Sequence, residues 1–426
     1  MSKIHKIKGF FDLFPPESTA YVFMEETARE VFSRYAYQEL RIPILEQTEL
    51  FARSIGKETD VVQKEMYTFE DRKGRSLTLR PEATAGVIRA YIESPEAGSG
   101  GVSRFFTLGP MFRYERPQKG RTRQFHQLNV ELLGEDSAFA DGEILLMLWS
   151  YLQKLGLRQL NMQLNSLGCT ACRPDFDTKL KNFLALSEQE SLCVDCQRRA
   201  RSNPMRVLDC KVKGCAAVAS SAPRILDSLC RNCRDHFDRV LAVLDKTDIS
   251  YELNPYLVRG LDYYQRTTFE VISTDIGAQS AVAGGGRYDG LVRDLGGPDI
   301  PGIGFACGME RLALLLRSIQ ERPLDFYFAV LHEDAMDTAM LMAQRLRDKG
   351  FQGEMGFQVK SIKSQLRLAN RKKVKACLLL GKDELEKGQI QVKDMSTGVQ
   401  RAVSQDDVEQ ALGLNLKTKA ESFVQH

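Results

Sequence analysis

Eight cysteines fall between Cys169 and Cys233 in four short pairs: Cys169-x-x-Cys172, Cys193-x-x-Cys196, Cys210-x4-Cys215 and Cys230-x-x-Cys233. In a reducing compartment such spacings read as metal knuckles rather than disulfides. A window with little apolar sequence has few other means of holding a fold, so residues 165–240 are constrained to organise around ligand sites. Two tetrahedral four-thiolate zinc sites would use all eight thiols. The spacing leaves consecutive or crossed pairing of the knuckles open. Unliganded thiols, an iron–sulfur cluster, or one zinc with His236 replacing a cysteine remain alternatives. Cys307 and Cys377 lie in apolar, strand-like runs and are expected to be core.

The flanks of this window belong together. Residues 18–36 have helical periodicity, with Tyr21, Met24, Ala28, Val31, Phe32 and Tyr35 on one side. Segments 67–80, 104–116 and 124–134 alternate apolar and polar residues over strand lengths, which describes an antiparallel sheet. A helix over 141–155 follows, and strands resume beyond the window at 267–273, 278–284 and 302–307. The cysteine-rich window therefore reads as a small domain inserted between strands of one sheet. After Arg322-Pro323 the pattern changes to strand 325–331, helices 334–348 and 361–373, strand 376–381 and hairpin 389–403, which indicates a separate α/β domain. The expected architecture is an α+β domain over 1–164 and 241–322, a Cys-rich insertion over 165–240, and a C-terminal α/β domain over 323–426.

At 426 residues, two or three domains are expected, and 43% hydrophobic with 27% charged residues is ordinary globular composition. A net charge of +3 permits a locally basic face without requiring one. The first ten residues lack the apolar core of a signal peptide, and no apolar run approaches the ~18 residues that span a membrane. A cytoplasmic location without membrane association is expected.

Two stretches carry the chemistry. Arg259-Gly260-Leu261-Asp262-Tyr263-Tyr264 joins groups that are costly to bury unless a ligand satisfies them, and reads as a pocket wall. Arg113, Arg116, Lys119, Arg121 and Arg123 crowd five cations around one turn, a density that polyphosphate or a nucleic-acid end would relieve. Alternation places Arg113 and Glu115 on the strand rather than at the tip.

The run Phe112-Arg113-Tyr114-Glu115 with its basic loop and Arg121-Thr-Arg-Gln-Phe125 resembles motif 2 of class II aminoacyl-tRNA synthetases. The resemblance implies that Arg113 grips the ATP α-phosphate and the substrate carboxylate, Glu115 and Arg121 handle the nucleotide, and Phe125 stacks on adenine. Gly302-Ile-Gly-Phe-Ala-Cys-Gly-Met-Glu-Arg311 is similar to motif 3, with Arg311 on the γ-phosphate and glycines that let backbone approach a ligand. Pro43 with its preceding long helix resembles motif 1, which implies a homodimer.

Within that class, the stretches Arg259–Tyr264, Ala283–Leu291 and Leu79–Gly86 are similar to signatures of histidyl-tRNA synthetases. This implies that Glu82 and Thr84 hold the α-amino group of histidine, and that Gln127, Glu131, Tyr263, Tyr264 and Tyr288 contact it. Gln127 and Glu131, spaced by four, share one face of a strand. A carboxylate and a tyrosine hydroxyl can satisfy the donor and the acceptor of a neutral imidazole. Arg259 is expected to flank the α-phosphate opposite Arg113, with Mg2+ accompanying the ATP, as histidyl-adenylate forms and passes to tRNA(His). No side-chain nucleophile is needed, so His126 reads as structural.

Arg116, Gln118 and Lys119 are expected to face the tRNA acceptor end, where this family reads an extra 5′ guanosine. The C-terminal domain resembles an anticodon-binding domain; Lys360, Lys363, Arg367 and Arg371 recur at helical spacing, with Ile362, Leu366 and Ala369 on the other side. Arg198, Arg199, Arg201, Arg231 and Arg234 flank the knuckles and suit a clamp over the acceptor stem. Two other readings are a regulatory paralogue that senses histidine and a nucleic-acid-binding accessory protein without catalysis. Intact Arg113, Arg259 and Arg311 and the C-terminal domain argue against both.

Overall fold

The computed structural model describes residues 3–56, 59–98, 100–187, 191–276, 281–316 and 323–413. The chain forms two compact units, Met1–Ile319 and Gln320–His426. The expected boundary at 322 lies outside the described residues, as does the beginning of the strand expected over 278–284.

The first unit is built on an eight-stranded sheet. From one edge its strands are Gln38–Glu39, Ser103–Phe112, Gln124–Leu133, Gly302–Gly308, Ala281–Arg287, Gln265–Ser273, Leu160–Ser166 and Tyr251–Leu253. All neighbours are antiparallel except the two outermost pairs, which are parallel. Alternation along Gln124–Leu133 sends Leu128, Val130 and Leu132 into the main core and Gln127, Asn129 and Glu131 to the opposite face. The helices Glu17–Arg34 and Ala138–Lys154 cover the core face, contributing Met24, Val31, Phe32, Ile144 and Tyr151. Their apolar stripes repeat at three to four residues, so helix and sheet bury one another. Cys307 and Cys377 are fully buried, as expected.

The region 67–80 departs from the expectation of one strand. It is a hairpin, Tyr67–Glu70 and Ser76–Leu79, paired with Leu45–Gln47 in a separate three-stranded sheet. Its turn is held by the Asp71 carboxylate, which accepts from the N–H groups of Lys73 and Arg75 at 2.8 and 2.9 Å. Gly74 takes the positive φ that closes it.

Residues 165–240, expected as an insertion, lie within the first unit and are mainly helical, with Arg173–Leu186, Val194–Ser202, Lys213–Ala219 and Arg231–Leu244 as their main elements. Phe176, Leu180, Leu184, Val207 and Ile225 share a core with Val87, Ile88 and Tyr91 and with the pocket residues Tyr264 and Tyr288. The cysteines group as Cys169, Cys172, Cys230, Cys233 and as Cys193, Cys196, Cys210, Cys215. This is nested rather than consecutive or crossed: the last knuckle, at the start of the helix Arg231–Leu244, meets the first, and the middle two meet each other. His236 belongs to neither group. Its Nε2 lies 2.8 Å from the buried Asp141 carboxylate, which removes the one-zinc alternative built on it.

The second unit is a five-stranded sheet ordered Gly353–Met355, Phe326–Val330, Ala376–Leu380, Gln389–Asp394, Gln400–Ser404, with helices Met336–Asp348 and Ile362–Arg371 among its flanking helices. On Ile362–Arg371 the inward positions are Gln365 and Ala369, with Leu366 partly buried, while Ile362 is exposed. Gln365 can be buried because its amide accepts from Tyr327 Oη at 2.7 Å and donates to the Val330 carbonyl at 3.1 Å. Lys360, Lys363 and Arg367 stay exposed, as does Arg371. Among the described residues no helix is long and apolar enough to cross a membrane.

Candidate active site

The non-core face of the eight-stranded sheet carries a cavity of about 480 Å³. Its floor is formed by four adjacent strands, Gln124–Leu133, Gly302–Gly308, Ala281–Arg287 and Gln265–Ser273. Gly304 lies opposite Glu131, and Gly284 opposite Glu270. Glycine is required at these positions because of what stands beside them: a Cβ at Gly304 would overlap the Glu131 carboxylate, one at Gly302 the Tyr288 ring, and one at Gly284 the Arg259 guanidinium. The sequence reading assigned the glycines of 302–308 to ligand approach. The structure shows that Gly302 and Gly304 also make room for pocket side chains, while Gly304 and Gly308 themselves line the cavity.

One end of the cavity is a buried polar set. Thr84 Oγ1 donates to Glu131 Oε1 at 2.7 Å, and Tyr288 Oη donates to Glu131 Oε2. Glu82 accepts from the N–H groups of Thr84 and Ala85 at 2.7 and 3.0 Å, at the start of the helix Thr84–Ile92. Burial pushes the Glu131 carboxyl up to about 8; the two hydroxyl donors oppose this, and the charge of Glu82 adds to it. Burial raises Glu82 as well, against the N–H groups of Ala85 and Thr84. Tyr263 packs against Tyr264 and Tyr288 at ring separations of 4.6 and 5.8 Å. Gln127 Oε1 is buried with no hydrogen-bond partner among the described residues. An acceptor unmet among the described residues, in the same cavity as two carboxyls, is a place for a ligand's donors.

The other end is cationic. The strand ends at Phe112, so Arg113 and Glu115 lie just beyond it rather than within it, although Arg113 N–H continues the ladder to the Arg123 carbonyl at 2.8 Å. Arg113 Nε donates to the Pro81 carbonyl at 2.9 Å, and its guanidinium lies 5.4 Å from the Phe125 ring centre. Glu115 meets Arg121 at 2.5 Å and Arg113 at 4.0 Å. Arg123 turns away, stacked 3.9 Å over the Tyr114 ring, so the five cations of the loop do not form one cluster. Arg259 is paired with Glu270, and its Nε has no hydrogen-bond partner among the described residues. Arg311, in the first turn of the helix Met309–Leu315, donates to the Ala281 carbonyl at 2.6 Å. Burial lowers its pKa, and the positive charge of Arg121 lowers it further.

Every residue expected to bind histidine or ATP lines this cavity. Arg116, Gln118 and Lys119 do not; Gln118 and Lys119 sit at the hairpin tip, where Gln118 and Arg121 pair backbone to backbone. His126 is structural in its geometry, with Nδ1 3.1 Å from Glu310 and its ring edge-on to Tyr21.

A family model described as histidyl-tRNA synthetase matches residues 9–312, and one described as an anticodon binding domain matches 325–413. The chain belongs to the histidyl-tRNA synthetase family. Its similarity to members of that family runs nearly end to end. It is 61% identical over 406 residues to a protein of Solidesulfovibrio magneticus named Histidine--tRNA ligase, spanning 95% of this chain and 96% of that relative. It is 59% identical over 409 residues to one of the same name from Maridesulfovibrio salexigens, spanning 96% and 99%. The apo histidyl-tRNA synthetase of S. aureus superposes with a TM-score of 0.80 at 35% identity, covering 97% of this chain and all of that one.

For a histidyl-tRNA synthetase, the cavity also holds residues that sequence reasoning passed over. Glu270 follows from the alternation of 267–273, which puts it beside Arg259. Arg206, Asp209 and Lys211 also reach the cavity wall, as do Arg199 and Cys210, which sequence reasoning had set beside or within the cysteine knuckles but not at the cavity; no local pattern announces that.

Proposed function

We propose that the chain activates L-histidine with ATP to histidyl-adenylate, releasing pyrophosphate, and transfers histidine to the terminal adenosine of tRNA(His). The observation that carries this is the joining in one cavity of a buried donor and acceptor set, Glu131, Tyr288, Thr84 and the unmet Gln127 acceptor, with Arg113, Arg259 and Arg311. Glu82, Thr84 and Gln127 take the ammonium group. Glu131 and the tyrosines Tyr263, Tyr264 and Tyr288 read the imidazole. Arg113 and Arg259 stabilise charge developing on the α-phosphate, where fixed cations need no reorganisation. Glu115 and Arg121 orient the nucleotide over Phe125, Arg311 meets the γ-phosphate, and Mg2+ enters with ATP. Arg116, Gln118 and Lys119, outside the cavity, face the acceptor end.

A pyrophosphate exchange assay over a panel of amino acids tests this. Histidine is expected to exceed phenylalanine and leucine by about 10⁴-fold, because side chains without ring nitrogens leave buried polar groups unpaired. No histidine-dependent exchange would sink the reading and favour the regulatory paralogue.

The raised Glu131 pKa has a further consequence. The folded state holds this proton longer than the unfolded chain does, so the ligand-free protein loses stability as pH rises from the usual 4.5 toward about 8. A histidine donor at Glu131 favours its charged form. Binding at pH 7.5, where free imidazole is mostly neutral, is therefore expected to release roughly half a proton or more. Calorimetric titration in two buffers of different ionisation enthalpy measures it. Glu131→Gln should abolish the release; an equal release in that variant would show another group to be responsible.

We assign residues 1–164 and 241–322 to the catalytic domain, 165–240 to the insertion and 323–426 to the anticodon-binding domain. The protein works as a cytoplasmic homodimer in this reading; exposed Ile44 and Leu45, beside Pro43, suit an interface. The two cysteine groups hold structural zinc. Within each group the thiol sulfurs all lie within 4.8 Å of one another, close to the about 3.8 Å edge of a tetrahedron with Zn–S near 2.3 Å. The N–H groups of Cys193 and Cys230 donate to the sulfurs of Cys215 and Cys172 at 3.2 and 3.1 Å, a contact that stabilises thiolate. Four thiolates leave no open position for chemistry.

A further inference from the structure

We propose that the two thiolate centres hold the Arg259–Tyr264 segment from opposite ends, the inner one governing the phosphate half and the outer one the amino-acid half. This rests on the zinc reading above and goes beyond it, because it gives each metal a measurable effect on one kinetic constant.

The inner group, Cys193, Cys196, Cys210 and Cys215, closes the loop 197–209 between its two knuckles. That loop carries several polar contacts to the catalytic wall. Arg206, mostly buried, donates from Nη1 to the Arg259 carbonyl at 2.9 Å and from Nη2 to the Gly260 carbonyl at 2.5 Å, while its Nε meets Asp262 at 3.2 Å. Asn203 donates to the same Asp262 oxygen at 3.1 Å. Arg199 meets Asp60 on the cavity wall at 2.5 Å. A guanidinium with its donors spread over two carbonyls and a carboxylate fixes the backbone that carries Arg259. Without a closed loop behind it, that grip would have to be formed against the entropy of an open chain.

The outer group has its own arginine. Arg173 directly follows Cys172 and donates to the Tyr264 carbonyl and, at 3.4 Å, to the Leu167 carbonyl. Cys172 lies against Gly168, whose Cβ would press on it, so the knuckle and the end of the strand Leu160–Ser166 form one rigid corner. The ring of Tyr264 packs against Tyr263 in the amino-acid end of the cavity. Each half of the segment is thus held through main-chain carbonyls by an arginine that a thiolate knuckle anchors. Arg206 and Arg173 are positioning residues, since their bonds go to backbone rather than to substrate.

The test uses the full-length protein, metal analysis and pyrophosphate exchange kinetics. Wild type is expected to carry two zinc ions per chain. Arg206→Gln should keep both and lose about 10–100-fold in exchange kcat with the histidine KM within about threefold, since small misplacements of a catalytic group carry such costs. Cys193→Ser should retain one zinc and show the same kcat loss. Arg173→Gln should instead raise the histidine KM about tenfold with kcat nearly kept, and Cys169→Ser should follow it with one zinc. Fully active wild-type protein without bound metal would overturn the zinc reading; the arginine variants report on the clamp separately. Wild-type kcat in Arg206→Gln, or in a Cys193→Ser protein that has lost one zinc, would overturn the inference, as would identical kinetic defects in all four variants.

Discussion

Arg259→His is expected to slow histidyl-adenylate formation by about 10²–10³-fold, the range lost when one preorganised donor to a developing charge is removed. The arginine is mostly buried in the cavity wall, held by Glu270 on one side and lying 5.8 Å from the Tyr264 ring on another, with Nε lacking a hydrogen-bond partner among the described residues. An always-charged fork so placed serves a phosphate, and a shorter imidazole, mostly neutral at pH 7.5, replaces neither its reach nor its charge. Histidine affinity, measured by calorimetry, should stay within about threefold, because in the proposed site Arg259 meets the phosphate and the tyrosines meet the amino acid. A structural arginine would behave differently, lowering the melting temperature while leaving turnover per folded molecule intact. Glu270 keeps about a quarter of its side chain exposed, so water can solvate it once its partner is gone. The stability loss from Arg259→His is accordingly expected to be small beside the kinetic one.

What the sequence could and could not disclose divides by the range of the interaction. Gln127 and Glu131 were legible because a strand of period two sends both to one face, and strand neighbours carry that face into the cavity. The hairpin at 67–80 was misread as one strand although its turn is written locally in Asp71 and Gly74; alternation on both sides of a two-residue-type signal masked it. The end of the strand at Phe112 was not legible, since Arg113 still makes a ladder bond and only geometry marks the departure. The glycines at 284, 302 and 304 were visible as a pattern, but their purpose depends on which side chain the sheet register sets opposite each. The nesting of the cysteine pairs and the reach of Arg206 to the Arg259 carbonyl depend on how four helices fold back, which no spacing within 165–240 encodes. Ile362 is exposed where the stripe pattern set it inward, and the burial of Gln365, which that pattern did not assign, depends on a tertiary partner: Tyr327 satisfies the amide that burial would otherwise leave unpaired.

Arg287→Met is expected to destabilise the first unit by about 3–5 kcal/mol, the cost of stripping a buried charge of its partner. Arg287 and Asp141 are both fully buried, joined at 2.9 Å through Nε and again through Nη2. The remaining donors of Arg287 meet the Glu135 and Ser137 carbonyls at 3.0 and 3.2 Å and Asp289 at 3.0 Å, and His236 takes the other oxygen of Asp141. One guanidinium therefore ties the strand Ala281–Arg287 to the helix Ala138–Lys154 and, through the shared carboxylate, to the last helix of the insertion. Burial alone would raise the Asp141 carboxyl, but the charge of Arg287 and the His236 hydrogen bond outweigh it and hold it below its ordinary value. Methionine fills similar volume and leaves that carboxylate with one partner instead of two. Thermal unfolding should show a loss of roughly 5–10 °C for a unit of this size. The double change Arg287→Met with Asp141→Leu should recover part of it, since replacing both members of a buried pair costs less than orphaning one. Because Tyr288 follows Arg287 and donates to Glu131, the single variant should also raise the histidine KM when assayed below its melting range. A melting temperature within about 2 °C of wild type would show the pair to be dispensable, and with it the argument that this network orients the Tyr288 end of the pocket.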